Sequence, residues 1–172
     1  MMRTMLRFLP ALALFAASPA GADTLRPQLQ IDGGLSVIGP GYEHPVGARV
    51  AVQAEAFVFG TYFLPWFDAG DDVKGVGIGV RPTWFARESG RGLYVSPYVR
   101  GVLVDNDSLF GADGRGFTAG IFAGWAFGLT DTLDLRVGLG AQYIRFSVDT
   151  AAGELSTSTP FIAIDAVLGY RL

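Results

Sequence analysis

The sequence predicts an all-β chain folded as an eight-stranded antiparallel up-and-down transmembrane β-barrel, and three observations predict it. Mean hydropathy is positive, yet beyond Ala22 no stretch approaches the ~18 uninterrupted apolar residues of a spanning helix. Segment after segment alternates between apolar positions and polar or glycine positions, the period-2 signature of a strand whose two faces meet different surroundings. The connections between these segments alternate between short and long, as they do when strands thread a membrane and return.

Composition narrows the class. The 172 residues are 17% charged, include 24 glycines and carry a formal net charge of −3, with lysine only at Lys74. One domain is the expectation at this length. Few charges and much glycine exclude a disordered chain or a coiled coil. With no basic patch for a phosphate backbone, nucleic acid is not an expected partner. The absence of cysteine excludes disulfides, thiolate zinc sites, cysteine nucleophiles and a lipoprotein anchor.

Taken in order, residues 1–22 read as a secretory signal peptide. Arg3 and Arg7 form a positive start, Phe8 to Ala17 an apolar run too short to span a bilayer, and Ala20 and Ala22 a small-x-small site before Asp23. Residues 23–172 then form the barrel. Leu29 and Ile31 oppose Gln28, Gln30 and Asp32, and residues 25–46 are expected to hold two strands joined by a tight loop at Val37–Gly39. Val50, Val52, Ala54, Ala56 and Val58 oppose Arg49, Gln53 and Glu55, and Val76, Ile78, Val80 and Trp84 oppose three glycines and Arg81. Leu93 to Arg100, Phe117 to Phe127, Leu133 to Tyr143 and Ile162 to Leu172 repeat the pattern, with Phe122 the bulky exception among small residues. Seven segments are clear, and an even count with both termini on one side makes eight. Pro82 and Pro97 remove ladder donors, so bulges or irregular pairing are expected there.

Short connections lie at Pro45–Ala48, Arg87–Arg91 and Leu129–Thr132, and long ones at Leu64–Val73, Asp105–Arg115 and Ser147–Thr159. Short turns belong on the periplasmic side, which places Leu172 there. The boundary aromatics expected on the lipid face are Trp84, Trp125 and Tyr170 at the periplasmic ends and Tyr62 and Tyr143 at the outer ends. The opposite face supplies a lumen of Asp32, Arg49, Glu55, Arg81, Arg100, Asp134, Arg136, Asp165 and Arg171, with Gln53, Tyr94, Tyr98 and Gln142. Eight strands enclose a space that side chains fill. Mixed charges with arginine as the base therefore predict a packed, hydrogen-bonded plug rather than an open pore.

Candidate chemistry is sparse. Gly75-Val76-Gly77-Ile78-Gly79 lacks the following helix of a dinucleotide loop. His44, the single histidine, has no nucleophile motif beside it, and Glu43 points to the opposite side of a regular strand. No catalytic residue, metal site or cofactor is expected. Asp68, Asp71, Asp72, Asp105, Asp107, Asp113, Asp149 and Glu154 make the long loops acidic, but the calcium-loop spacing is absent. Such a rim suits cations that bridge lipopolysaccharide.

The run Gly92-Leu93-Tyr94-Val95-Ser96-Pro97-Tyr98-Val99, the glycine-and-aromatic stretch Gly116–Phe127 and the alternating end Ile164–Leu172 carry a family resemblance. Through them the chain resembles the small eight-stranded outer-membrane β-barrels of Gram-negative bacteria, similar to the outer membrane protein A transmembrane barrel. The resemblance spans residues 25–172 and implies an outer-membrane location and recognition by the barrel-assembly machinery. That family usually ends in phenylalanine, whereas this chain ends in Leu172 with Leu168 and Tyr170 keeping the spacing. Lipid A deacylases share the fold, but their histidine–serine pair has no counterpart after His44. The expectation is a porin-like outer-membrane protein in contact with outer-membrane lipids and lipopolysaccharide, in a structural or surface-interaction role and without catalysis. The rival readings are a soluble periplasmic lipocalin-like barrel binding a small apolar ligand, and a lipid A-modifying enzyme.

Overall fold

A strand buries every second side chain, and each alternating segment of this chain becomes a strand. A computed structural model describes residues 24–60, 74–105, 114–150 and 153–172. The strands are β1 (Gln28–Gly34), β2 (Val37–Pro45), β3 (Val50–Gly60), β4 (Lys74–Phe85), β5 (Gly92–Asp105), β6 (Gly114–Gly128), β7 (Leu133–Thr150) and β8 (Gly153–Arg171). Each pairs antiparallel with the next and β8 closes on β1, giving an all-β, eight-stranded closed barrel in up-and-down order. The expected signal segment, and most of the first two long connections, lie outside the described residues.

The faces are inverted relative to a water-soluble core. The outward side chains of β1 and β3 to β8 are mainly apolar and exposed, from 38% at Ile164 to 72% at Ile78. Among the described residues fifteen polar or charged ones are buried, with Arg81, Gln53, Glu43, Thr83 and Ser96 showing no exposed surface at all. Burying a charge is costly unless it is paired, so the register must bring partners together.

Two boundaries differ from the sequence expectation. The first hairpin turns at Leu35–Ser36 rather than Val37–Gly39, because Val37 and Ile38 already pair with β3. Gly39 instead lies inside β2, where a Cβ would come within 2.5 Å of the Phe57 Cα, so only glycine lets β2 and β3 approach there. The connection expected over Ser147–Thr159 is mostly strand, with β7 and β8 paired up to Thr150 and Gly153. Polar residues on both faces, such as Ser156, Ser158 and Thr159, erase the alternation while β-branched threonine still favours an extended chain.

Prolines interrupt the ladder without shifting it. Val80 pairs with Val99 and Trp84 with Val95, so Pro82 and Pro97 face each other across β4–β5 at a place where the pairing lapses. The register is the same on both sides of the gap, so no residue is inserted and there is no bulge. The pairing of β2 with β3 lapses likewise between Ile38 and Gly41, around Pro40.

The end with short connections is sealed from below. Leu25 is 6% exposed and packs in one apolar cluster with Ala51, Phe85, Tyr94 and Ala126. The Leu172 amide donates to the Pro27 carbonyl at 2.9 Å, tying both ends of the described chain together. Gly90 in the β4–β5 turn has φ 72° and Gly92, the first residue of β5, has φ 91°, a conformation that side chains resist.

Candidate functional site: the charged lumen

Five strands build the central network. Arg81 on β4 donates from Nη1 to Asp32 (3.0 Å) on β1 and to Asp165 (2.8 Å) on β8, from Nη2 to Asp165 (2.5 Å), and from Nε to Ser96 Oγ (2.6 Å) on β5. Its side chain has no exposed surface. The Tyr94 hydroxyl donates to the same Asp165 carboxylate. Arg100 grips Glu55 with two bonds, at 2.6 and 3.0 Å, and reaches Asp32 at 3.2 Å. Planar guanidinium forks suit such bidentate pairing.

The register explains why glycine recurs on the inner face. Glu55, Gly79 and Arg100 form one row across β3, β4 and β5. A Cβ at Gly79 would lie 2.9 Å from the Arg100 Cγ, so the ion pair closes over the glycine. Gly124 and Gly138 on β6 and β7 leave room for the Tyr94 hydroxyl, which a Cβ would approach to 2.8 and 2.5 Å.

A second network lies toward the sealed end. Arg136 grips Glu43 at 2.6 and 2.5 Å and meets Gln28 Oε1 at 3.3 Å. Gln28 donates to Asp134 at 2.9 Å, and Arg171 Nε donates to Asp134 at 2.5 Å. Arg91 approaches Asp134 at 3.4 Å from the rim. The central group sets Asp32, Glu55 and Asp165 against Arg81 and Arg100. The lower group sets Glu43 and Asp134 against Arg91, Arg136 and Arg171. Three carboxylates with two bases and two with three make the two groups, Arg91 at the rim included, neutral in sum. Arginine faces cover aromatic rings as well: Arg81 over Phe122 at 5.1 Å, Arg136 over Phe85 at 4.8 Å and Arg100 over Tyr98 at 4.7 Å.

Eight of the nine charged residues expected in the lumen come together there: Asp32, Glu55, Arg81, Arg100, Asp134, Arg136, Asp165 and Arg171. Arg49 does not. It precedes β3 in the short connection, half exposed, with Glu88 3.7 Å away. Its parity is inward, but the strand starts one residue later, so the side chain meets solvent at the rim. Glu43 and Gln28 are members of the network that the charged set omitted, and Phe122 turns inward to stack on Tyr98 at 4.8 Å. His44 is half-buried, its Nδ1 3.2 Å from the Tyr42 hydroxyl.

Of the expected boundary aromatics, Trp84, Trp125, Tyr143 and Tyr170 point outward and are exposed. Tyr62 lies outside the described residues, as do Asp68, Asp71, Asp72, Asp107 and Asp113. Among the described residues no group of three or more potential ligands is placed to hold a metal ion. Above the central network the inner face becomes apolar, with Val104 and Phe146 buried against Phe59, Val102 and Ile144. No family model, curated protein or solved structure matches the chain.

Proposed function

We propose that the chain is an outer-membrane protein, exported by the segment 1–22, that spans the bilayer as this barrel and serves a structural or surface-interaction role. The observation that carries the reading is the inversion of faces. Apolar residues cover the outside in a closed wall, and the charges are paired within. A closed barrel leaves no unpaired strand edge to hydrocarbon, the condition for spanning with strands. A soluble barrel carrying an apolar ligand needs the reverse arrangement, with an apolar interior and a polar exterior.

The packed lumen supports a plug in place of a pore, and the same density leaves little room for a substrate among its charges. Lipids and lipopolysaccharide of the outer membrane are the partners this reading assigns, with the barrel-assembly machinery acting during biogenesis.

The test is fractionation followed by gel migration of boiled against unboiled protein. Recovery in the outer membrane with a heat-dependent shift is the expected result. Recovery in the soluble periplasm without a shift would sink the reading. Identical lipid A mass spectra from cells with and without the gene are expected, and a missing acyl chain that depends on the gene would favour an enzyme.

A further inference from the structure

The outward positions of β6 and β7 are apolar or small until the end with long connections, where two bases break the pattern. Arg115 on β6 and Arg145 on β7 both face outward and are exposed. Arg145 pairs in register with Phe117, and Arg115 with Ser147, so the two arginines are diagonal neighbours on one face. Such neighbours lie ~7–8 Å apart. Neither forms an ion pair among the described residues. Two like charges side by side on an apolar wall repel, and an anion held between them removes the repulsion.

Their height is set by the strands. Ten residues separate Trp125 from Arg115 along β6, and ten separate Leu135, the register partner of Phe127, from Arg145 along β7. At ~3.3 Å per residue and a tilt of about 40°, that run climbs ~25 Å, the height of the apolar band of a membrane barrel. The guanidinia therefore emerge at headgroup level, at the outer boundary.

Beside them the wall is hollow. Ile78, Gly101 and Phe117 form one row across β4, β5 and β6. A Cβ added at Gly101 would meet nothing within 4 Å, whereas one at the inward Gly120 would lie 2.7 Å from the Ala141 carbonyl. Packing within the barrel gives no reason for glycine at 101. The gap opens into an apolar groove of about 460 Å³ that runs between Ile78 and Leu103 and ends under Arg115. A second groove of about 490 Å³ continues past Arg145 to Ser147 and Ser156.

Resting on the membrane-spanning reading, we propose that this face binds one phosphorylated, acylated glycolipid of the outer leaflet. Its phosphate lies between Arg115 and Arg145, and one acyl chain lies in the groove over Gly101. Two guanidinia match a phosphomonoester, which carries nearly two negative charges; a phosphodiester headgroup carries one. Leaflet, charge and apolar groove thus point to the same class of lipid.

The test uses the protein purified in detergent from cells carrying the full gene, after its heat-dependent gel shift and insertion into phosphatidylcholine vesicles are established. Diphosphoryl lipid A is titrated in and retention is read by native mass spectrometry. Wild type should retain one lipid A, and Arg115→Gln with Arg145→Gln should weaken retention about tenfold or more as two charge-assisted contacts are lost. Gly101→Leu fills the groove from outside and should weaken retention with the gel shift unchanged; lipid A stripped of its phosphates should bind as poorly. Undiminished retention in either variant, or equal retention of phosphatidylglycerol, would overturn the site while leaving the inserted barrel intact. Failure to insert would overturn the membrane reading, and the site with it.

Discussion

Asp165 accepts three bonds from Arg81 and Tyr94 in a place where no water-exposed surface remains. Removing that carboxylate leaves Arg81 Nη2 and the Tyr94 hydroxyl without their acceptor, with Asp32 the remaining carboxylate on Arg81. Asp165→Ala should therefore lower stability by ~3–5 kcal/mol, the range for breaking a buried pair. Arg81→Met with Asp165→Leu should recover much of the loss, because no charge is then left alone. Equilibrium unfolding in urea with vesicles measures both, and a loss below ~1 kcal/mol in the single variant would contradict the network. Gly124→Ala tests the same interior by volume. Its Cβ would come within 2.6 Å of the Gly138 Cα, and backbone cannot step aside as a flexible side chain can. A cost of ~1–3 kcal/mol is expected, the range for overpacking. The charged residues were legible in the sequence wherever alternation was clean, as with Asp134 and Arg136 of β7. Glu43 was not, because β2 carries two glycines inward and Pro40 outward, and its parity has no apolar stripe to declare it.

At the scale of the strand, the opposed prolines of β4 and β5 make a local defect in a closed wall. Side chains patch it from within: Ser96 Oγ accepts from Arg81 Nε at 2.6 Å, lies 2.9 Å from Thr83 Oγ1 and reaches the Pro82 carbonyl at 3.2 Å. Amide hydrogen exchange in micelles should be faster for Arg81, Thr83, Ser96 and Tyr98, which flank the prolines, than along the uninterrupted β6–β7 ladder. Restoring donors with Pro82→Val and Pro97→Val should slow it and stabilise the barrel by ~1 kcal/mol, about the worth of a backbone bond. Equal exchange rates in the two ladders would show that the gap does not loosen the amides beside it. The prolines themselves announced the irregularity, but their mutual opposition depends on register, which one strand cannot reveal. Register likewise hid the upper halves of β7 and β8. A strand is read from contrast between its faces, and where Ser147 opposes Ser156 the outer face turns polar while Phe146 keeps the inner one apolar, the reverse of the pattern lower in the strands.

The whole molecule combines a wall of rising height with a filled interior. Strand length grows from 7 residues in β1 to 19 in β8, and the β1–β8 pairing ends at Gly34 and Asp165. One side of the barrel therefore stands taller than the other above the level where the charges are paired. The network occupies the level common to all eight strands, where an eight-stranded barrel is only as wide as its own side chains. Arg81, Arg136, Tyr94, Phe85 and Phe122 are all essentially without exposed surface there, and they come from β4, β7, β5 and β6. An ion crossing would have to displace guanidinia from carboxylates that hold them bidentately, leaving charges unpaired in a low-dielectric interior. Planar-bilayer recordings should therefore show no defined, reproducible single-channel steps. Shortening the plug with Arg81→Ala and Asp165→Ala together should introduce them, if the variant still gives the heat-dependent shift of a folded barrel. Reproducible steps in the wild type would mean that the two networks part to make a path, and the lumen would then act as a gate rather than a brace.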